Sequence, residues 1–511
     1  MIKLEEKGNW PLIRFIIPGF PEVNVFSYYA QKTTSLGPIM VATAANKVWG
    51  WRVEVIDENN YKGPCDKDGL PDHERLQREN PASVVGFYCG LTSTIDRVFE
   101  LSVFYHSQGV INIAGGWHAH YCPEEVLRNN IDIVVHGDGE IAIQQILNVF
   151  RSGDSILEIP GISFWEEGQI RTNEPAMLEI PCLSNLPYPD FGLLRYGRKI
   201  KCYSISRIRG CRMNCEFCSV KGEPRWADAE YLFRTVNWLV ETRNARNFFV
   251  VDDRTEGDLE GTLEFFRMIA ARYGSRLNFT VQIRLEAAKN IELLETLKAA
   301  GVSIVFVGYE SPIDEDLKAM RKGYLSSNMI EWTMILRRYF WVHGMFIFGY
   351  PPKERKEGLA VDVMVKRFKI FIRRSKLDSI QILHPVPIVG TELRSRLERE
   401  GRILGKDLVP WSKYDGSYAC FLPDNMTLIE LQEAPLEIMK WFYNPFSFFR
   451  ITLRTIAFPL DYLVRGWGKW HKGWVRDIVR YSGHILVQRW QRKQGNSLFL
   501  ARLKEHEKIV G

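Results

Sequence analysis

The sequence predicts an α/β chain in which a doubly wound parallel sheet is followed by a partial (β/α)6 barrel and an α-rich C-terminal region. Three observations carry that prediction. Short apolar runs alternate with longer amphipathic stretches twice over, first within residues 1–155 and again within 201–395. Many of the runs are apolar throughout, as strands buried on both faces are. Beyond residue 396 the alternation stops, and the chain becomes rich in aromatic and basic residues.

The first region offers five strands: Leu12–Ile17, Arg52–Ile56, Ser83–Phe87, Val110–Ala114 and Ile131–Val135. Each runs into polar or glycine-rich sequence, and the gaps are long enough for crossover helices. In such sheets ligands bind beyond the carboxyl ends of the strands. The loops there read Gly90-Leu-Thr-Ser-Thr94, Gly115-Gly-Trp-His-Ala-His120 and His136-Gly-Asp-Gly-Glu140. Paired glycines let the backbone approach a flat ligand closely, and Thr92 and Ser93 offer hydroxyl donors. Tight strand-to-helix turns would use the same glycines.

Residues 156–200 form a proline-rich linker with a small hairpin, Ile162–Glu166 and Gln169–Thr172 joined by Glu167-Gly168. From Lys201 six further strands follow, at Tyr203–Arg207, Asn247–Val251, Asn278–Val281, Ser303–Val307, Gly344–Phe348 and Ser379–His384. Amphipathic stretches such as Ala227–Thr242 and Gly257–Tyr273 fill the gaps. In a βα barrel the functional residues belong at the strand carboxyl ends. That rule singles out Asp252 and Asp253, Gln282 and Arg284, Glu310 and Ser311, Gly349, and His384. Ordinary loop polarity is the alternative reading for each, and Asp252 and Glu310 are the favoured functional candidates.

Composition narrows the class. A chain with 46% hydrophobic and 25% charged residues is ordinary for a globular protein. No run of about 18 apolar residues predicts a spanning helix, and Met1-Ile-Lys-Leu-Glu-Glu-Lys lacks the apolar core of a signal peptide. Nine cysteines, six of them scattered singly, point to a reducing, cytoplasmic setting rather than a disulfide framework. The net charge of +6 is unevenly placed: residues 441–500 hold ten Lys/Arg against two Asp, which leaves the rest near −2. A nucleic-acid binder would stripe its charge over the domain that grips the backbone, so no nucleic-acid partner is expected.

The other three cysteines are the most informative residues. Cys211, Cys215 and Cys218 lie in Arg209-Gly-Cys-Arg-Met-Asn-Cys-Glu-Phe-Cys218, spaced Cys-x3-Cys-x2-Cys. Iron–sulfur clusters and structural zinc normally take four protein ligands, so three thiolates leave one metal position open. No histidine occurs between His136 and His343 to fill it. An extended segment would hold Cys202 roughly 25–30 Å from the loop.

This motif, after a strand that opens a βα-repeating region, resembles the radical S-adenosylmethionine (SAM) superfamily. The resemblance implies a [4Fe–4S] cluster on Cys211, Cys215 and Cys218, with SAM on the fourth iron. One electron, from a donor such as flavodoxin or ferredoxin, then releases a 5′-deoxyadenosyl radical. Phe217 matches an aromatic position common in that loop. By the same resemblance Asp252 and Asp253 lie near the methionyl group, Glu310 and Ser311 near the nucleoside, and Gly349 in the stretch that backs the adenine, while Arg284 has the charge and reach to donate to the methionyl carboxylate.

The upstream loops resemble the cobalamin-binding, Rossmann-like domain that precedes the radical domain in one large subfamily. Gly115-Gly116-x-His118-Ala119 and Gly137-Asp-Gly139-Glu140 carry that resemblance. It implies cobalamin on Thr92, Ser93, Gly115, Gly116, His118, Gly137, Gly139 and Glu140. The Asp-x-His-x-x-Gly sequence that supplies a histidine beneath cobalt is absent; after the second strand the chain reads Asp57-Glu-Asn-Asn-Tyr61. The domains expected are therefore 1–155 for cobalamin, 156–200 as linker, 201–395 for the radical barrel and 396–511 as a basic, aromatic helical region.

The implied function is methyl transfer to an unactivated carbon, in which one SAM methylates reduced cobalamin and a second supplies the radical. Relatives that perform a rearrangement, cyclisation or oxidation instead share the same motifs, and a non-catalytic iron–sulfur sensor is a third reading. The tail suggests a lipid, terpenoid or tetrapyrrole-like substrate. Arg450 and Arg454 are four apart and would share a helix face, beside an apolar stripe of Phe449, Leu453, Ile456 and Leu460. Arg465, Trp467, Lys469, Trp470, Trp474 and Arg476 follow. The expected arrangement packs the stripe on the barrel and turns the arginines to water. The alternative is peripheral contact with the inner face of a membrane through 441–500.

Overall fold

The structure, a computed structural model, describes residues 10–21, 30–353, 358–495 and 498–510. The chain forms two compact units, the first made of 1–212 and 222–278, the second of 213–221 and 279–511.

The first unit is built on β1 (Leu12–Ile17), β2 (Arg52–Asp57), β3 (Val84–Tyr88), β4 (Ile111–Gly115), β5 (Ile133–Val135), β6 (Ile162–Glu166) and β7 (Gln169–Thr172). They lie in the order β2-β1-β3-β4-β5-β6-β7. The first five are mutually parallel. The linker hairpin, β6 and β7, joins antiparallel to β5 and covers an edge that would otherwise be unpaired.

All six residues of β1 are buried, as befits a strand paired on both sides in a sheet covered on both faces. One of them is a cation. Arg14 donates to Glu54 Oε1 at 2.6 Å, to the Tyr105 hydroxyl at 3.1 Å and to the Leu76 and Asn80 carbonyls, so its charge is fully partnered in the core. Helix Gly139–Ser152 buries Ala142, Ile143, Ile146 and Leu147 on one face, packs on helix Leu36–Ala45, and ends at Gly153 in the left-handed region.

The same unit continues with β8 (Tyr203–Ile205), β9 (Ile208–Arg209), β10 (Arg225–Trp226) and β11 (Asn247–Val250). β8 and β11 pair in parallel. β9 and β10 form a short antiparallel ribbon, which brackets the cysteine loop in sequence.

The second unit carries β12 (Asn278–Ile283), β13 (Val302–Glu310), β14 (Trp341–Ile347) and β15 (Ser379–Leu383), neighbours in that order and all parallel. Helices alternate with them, so the expected α/β pattern holds with strand ends shifted by up to three residues. Helices Leu428–Phe442, Phe446–Ile456, Phe458–Gly495 and Leu498–Val510 make up the α-rich end, with a non-helical break at Gly466.

One expectation is reversed there. Phe449, Leu453 and Ile456 are 62%, 64% and 72% exposed, while Arg450 and Arg454 turn inward onto Asp477 at 2.9 and 2.8 Å. The buried carboxylate attracts the arginine face of the helix, so the apolar stripe is left outward. The side chains of Leu460, Arg465, Trp467 and Lys469 lie outside the described residues.

Candidate active site

In the first unit, a cavity of about 360 Å³ opens at the carboxyl ends of β3, β4 and β5. Met40 and Val41 of helix Leu36–Ala45, Leu183 and Tyr231 give it apolar walls. Of the residues proposed to touch cobalamin, Gly115, Gly116, Gly137, Gly139 and Glu140 line it. Thr92, Ser93 and His118 are buried but are not among its lining residues. The Thr92 hydroxyl instead sits 3.3 Å from His118 Nδ1, and His118 Nε2 lies 3.5 Å from Glu125.

The glycines have two different reasons to be glycine. A Cβ on Gly116 would lie 2.7 Å from Gly90 N, and one on Gly137 would lie 2.1 Å from Leu178 O. Both have φ in the left-handed region, at 116° and 77°, so packing of chain on chain already demands them. Gly115 meets nothing closer than 3.8 Å, and its bare backbone faces the cavity.

The polar wall is a charge network. Arg209 donates to Asp138 Oδ1 at 2.8 Å and to Glu140 Oε1 at 2.5 Å. Arg225 bonds Asp138 as well. Burial opposes the Asp138 charge, but Arg209 and Arg225 outweigh it and hold the carboxyl below its usual range. For Arg209, burial acts against the charge and Glu140 overcomes it. Asp253 Oδ2 accepts from Gly210 N at 2.7 Å, and burial pushes its pKa up against Gly210, Arg209 and Arg225. Arg209, Gly210 and Cys211 are consecutive, so this network fixes the start of the cysteine loop.

Asp252 faces elsewhere. Its Oδ1 accepts from Ser206 Oγ at 2.9 Å and from the Arg207 and Ile208 amides at 2.6 and 2.8 Å, which clamps the end of β8. Cys202 is half-buried, and burial pushes its thiol up to about 11.

In the second unit the loop ends on Cys215 and Cys218, whose turn closes through Cys218 N to Cys215 O at 3.2 Å. Glu216 between them is buried. It accepts from Tyr350 Oη at 2.7 Å and from Arg396 Nε at 3.0 Å. Lys221 Nζ bonds the Cys215 carbonyl at 2.6 Å. Phe217 meets Tyr350 edge-on at 6.2 Å, so Tyr350 buttresses the loop, while the bare face of Gly349 is turned to Leu431 and Met426.

At the β13 end Glu310 has φ 61°, a strained conformation for a residue with a side chain and one that clusters at functional sites. Its Oε1 accepts from Lys322 Nζ at 2.9 Å. Burial disfavours the Lys322 charge, yet Glu310 raises its pKa above the ordinary value. Arg284 donates to Glu286 at 2.6 Å and to the Lys322 carbonyl at 2.7 Å, so Arg284, Glu310 and Lys322 form one cluster. Ser311 donates to Asp316 at 2.6 Å and caps the next turn. His384 is held between the Gly416 and Leu431 carbonyls at 3.0 and 3.1 Å, as a packed core histidine.

Sequence reasoning missed Asp138, Arg209, Glu216 and Lys322. The first three stand inside motifs quoted for their glycines and cysteines. Lys322 lies twelve residues beyond Glu310 on a turn that carries no signal of its own.

Residues 25–147 match the B12 binding domain family, and residues 205–360 match the Radical SAM superfamily. The chain belongs to the cobalamin-binding radical SAM superfamily. An uncharacterized methyltransferase of Pyrococcus horikoshii is 25% identical over 60% of this radical SAM chain and 68% of its own. The hopanoid C-2 methylase of Rhodopseudomonas palustris is 28% identical over 40% of this chain and 39% of its own. The anaerobic magnesium-protoporphyrin IX monomethyl ester cyclase of Synechocystis is 24% identical over 52% and 55%. The match thus spans about half or less of the last two.

Among solved structures, the radical enzyme OxsB with aqua-cobalamin and SAM bound has a TM-score of 0.65 at 14% identity, covering 98% of this chain and 80% of its own. TsrM from Kitasatospora setae, with cobalamin and a [4Fe–4S] cluster bound, has a TM-score of 0.61 at 16% identity, over 77% and 78%. These are likenesses of fold. The domain pair carries the cofactor set expected from sequence: cluster, SAM and cobalamin. The donors present fit it, with three cysteines on one loop and a glycine-edged cavity whose walls are largely apolar. No helix among the described residues is long and apolar enough to cross a membrane.

Proposed function

We propose that this radical SAM enzyme is a cobalamin-dependent methyltransferase acting on an unactivated carbon of a polycyclic, largely apolar small molecule. One observation carries the proposal: Arg209, two residues before Cys211, places its guanidinium on Asp138 and Glu140 in the cavity wall. One charge network thereby serves both the cavity and the start of the cysteine loop. The methylase names of two relatives support methyl transfer, and the hopanoid and protoporphyrin names support a fused-ring substrate.

When bound, the cofactors supply a carbon-centred radical and a transferable methyl group. The chain's own residues bind and orient them. Cys211, Cys215 and Cys218 would hold the cluster, with Glu216 fixing the loop. Gly115, Gly116, Gly137, Gly139 and Glu140, with Thr92, Ser93 and His118 behind them, would cradle cobalamin. Phe217, Asp253, Arg284, Glu310 and Gly349 would serve SAM, and Asp252 and Ser311 would serve it through the backbone turns that they hold in place. Domains 1–155, 156–200, 201–395 and 396–511 would divide this work. A flavodoxin- or ferredoxin-like donor supplies the electron, and no nucleic acid takes part. The setting is cytoplasmic, with peripheral membrane contact through 441–500.

The test is anaerobic reconstitution with iron, sulfide and cobalamin, followed by assay of 5′-deoxyadenosine and of product mass. Replacing the three cysteines by alanine should abolish 5′-deoxyadenosine and leave cobalamin bound. A product heavier by one CH2 supports methylation. An unchanged or dehydrogenated product would favour the second reading, a ring-forming or oxidative reaction, which the cyclase relative keeps in view.

A further inference from the structure

Helix Phe446–Ile456 is amphipathic the wrong way round for a helix that packs on a core. Phe446, Phe449, Leu453 and Ile456 recur at intervals of three and four and face outward, joined by Phe448. The other outward residues of this helix are Thr452 and Thr455, so its exposed face holds no charge. Its two arginines turn inward, where Asp477 of the following helix takes both. Gly473 leaves room there for the Arg454 guanidinium, 2.7 Å from where a Cβ would stand. The apolar face is therefore held outward by two ion pairs to one buried carboxylate.

We propose that this face docks on an anionic lipid bilayer, with the helix lying in the plane of the interface. Several observations select that occupant. The helix is too short to cross, and none of the described helices is long and apolar enough to do so. An uncharged apolar face bordered by basic sequence has the character of an interfacial helix. The excess of ten Lys/Arg over two Asp lies in residues 441–500, while the rest of the chain is near −2. Positive charge beside a membrane-facing helix is attracted by anionic headgroups. Trp474 donates to Thr455 Oγ1 at 3.2 Å at an exposed position, an amphipathic ring suited to the interface. The inference rests on the proposed apolar substrate for its purpose, since a fused-ring hydrocarbon resides in a bilayer, but not for its geometry.

The experiment is flotation of the full-length protein with two vesicle types, phosphatidylcholine alone and phosphatidylcholine with an equal part of phosphatidylglycerol. The wild type should float with the anionic vesicles and bind the neutral ones less. Phe449→Asp with Leu453→Asp should reduce that binding by about tenfold or more, with circular dichroism and 5′-deoxyadenosine formation unchanged. If the double variant misfolds, Phe449→Ser with Leu453→Ser provides the same comparison without charge. A wild type that floats with neither vesicle overturns the proposal. So does a wild-type dimer that becomes monomeric in the variant without any vesicle binding, since the face would then join two copies. Product mass is scored separately, so a failed methylation assay with intact flotation sinks the function and leaves the surface standing.

Discussion

Glu216 shows how much a single residue between two metal-binding cysteines can hold. Its carboxylate is buried and takes the Tyr350 hydroxyl and the Arg396 guanidinium at once. Glu216→Leu would strand Arg396 at a half-buried position, so it should cost about 3 kcal/mol. Tyr350→Phe removes one hydrogen bond and should cost about 1 kcal/mol. Denaturant unfolding measures both, and iron content per chain should fall for Glu216→Leu well before the fold is lost. The glycines were visible in the sequence, but their cause was not. Gly116 and Gly137 are set by Gly90 and by Leu178, which lie far away in the chain. Only three-dimensional neighbours distinguish that need from close approach to a ligand.

Among the elements, the loop after β5 should respond to acid through a buried histidine. His136 lies 3.0 Å from His120, ring nitrogen to ring nitrogen, and bonds Ser163 at 2.7 Å. Burial, then the neighbouring His120, lower its pKa from 6.5 to about 4. Between these values the unfolded chain binds more protons than the folded one. The stabilisation is therefore complete above about 6.5 and is lost as pH falls through about 4. His136→Asn should flatten this acid limb by about 3 kcal/mol in denaturant midpoints taken from pH 7 to pH 4. Strand positions were legible because buried parallel strands are apolar along their whole length. The facing of helix Phe446–Ile456 was not, because its period marks a stripe without saying which way it points. Asp477, more than twenty residues on, decides that.

For the whole molecule, a ligand that binds only the folded state adds stability by mass action. Cobalamin should accordingly raise the unfolding midpoint, with about 2.7 kcal/mol gained at a hundredfold excess over its dissociation constant. Differential scanning calorimetry with and without cobalamin checks this, and the shift should survive in the triple cysteine-to-alanine variant. Parallel sheets assemble from strands far apart in sequence, and a strand as uniformly apolar as Leu12–Ile17 gives little information about its own alignment. Arg14 supplies it. In register it sits opposite Glu54, within reach of Tyr105 and two carbonyls. A slip of one residue would turn the same charge to the opposite face of the sheet, away from every one of these partners. The cation therefore acts as a checkpoint on strand alignment. Arg14→Met should make misaligned, aggregation-prone states competitive during refolding, even where the native state tolerates the change.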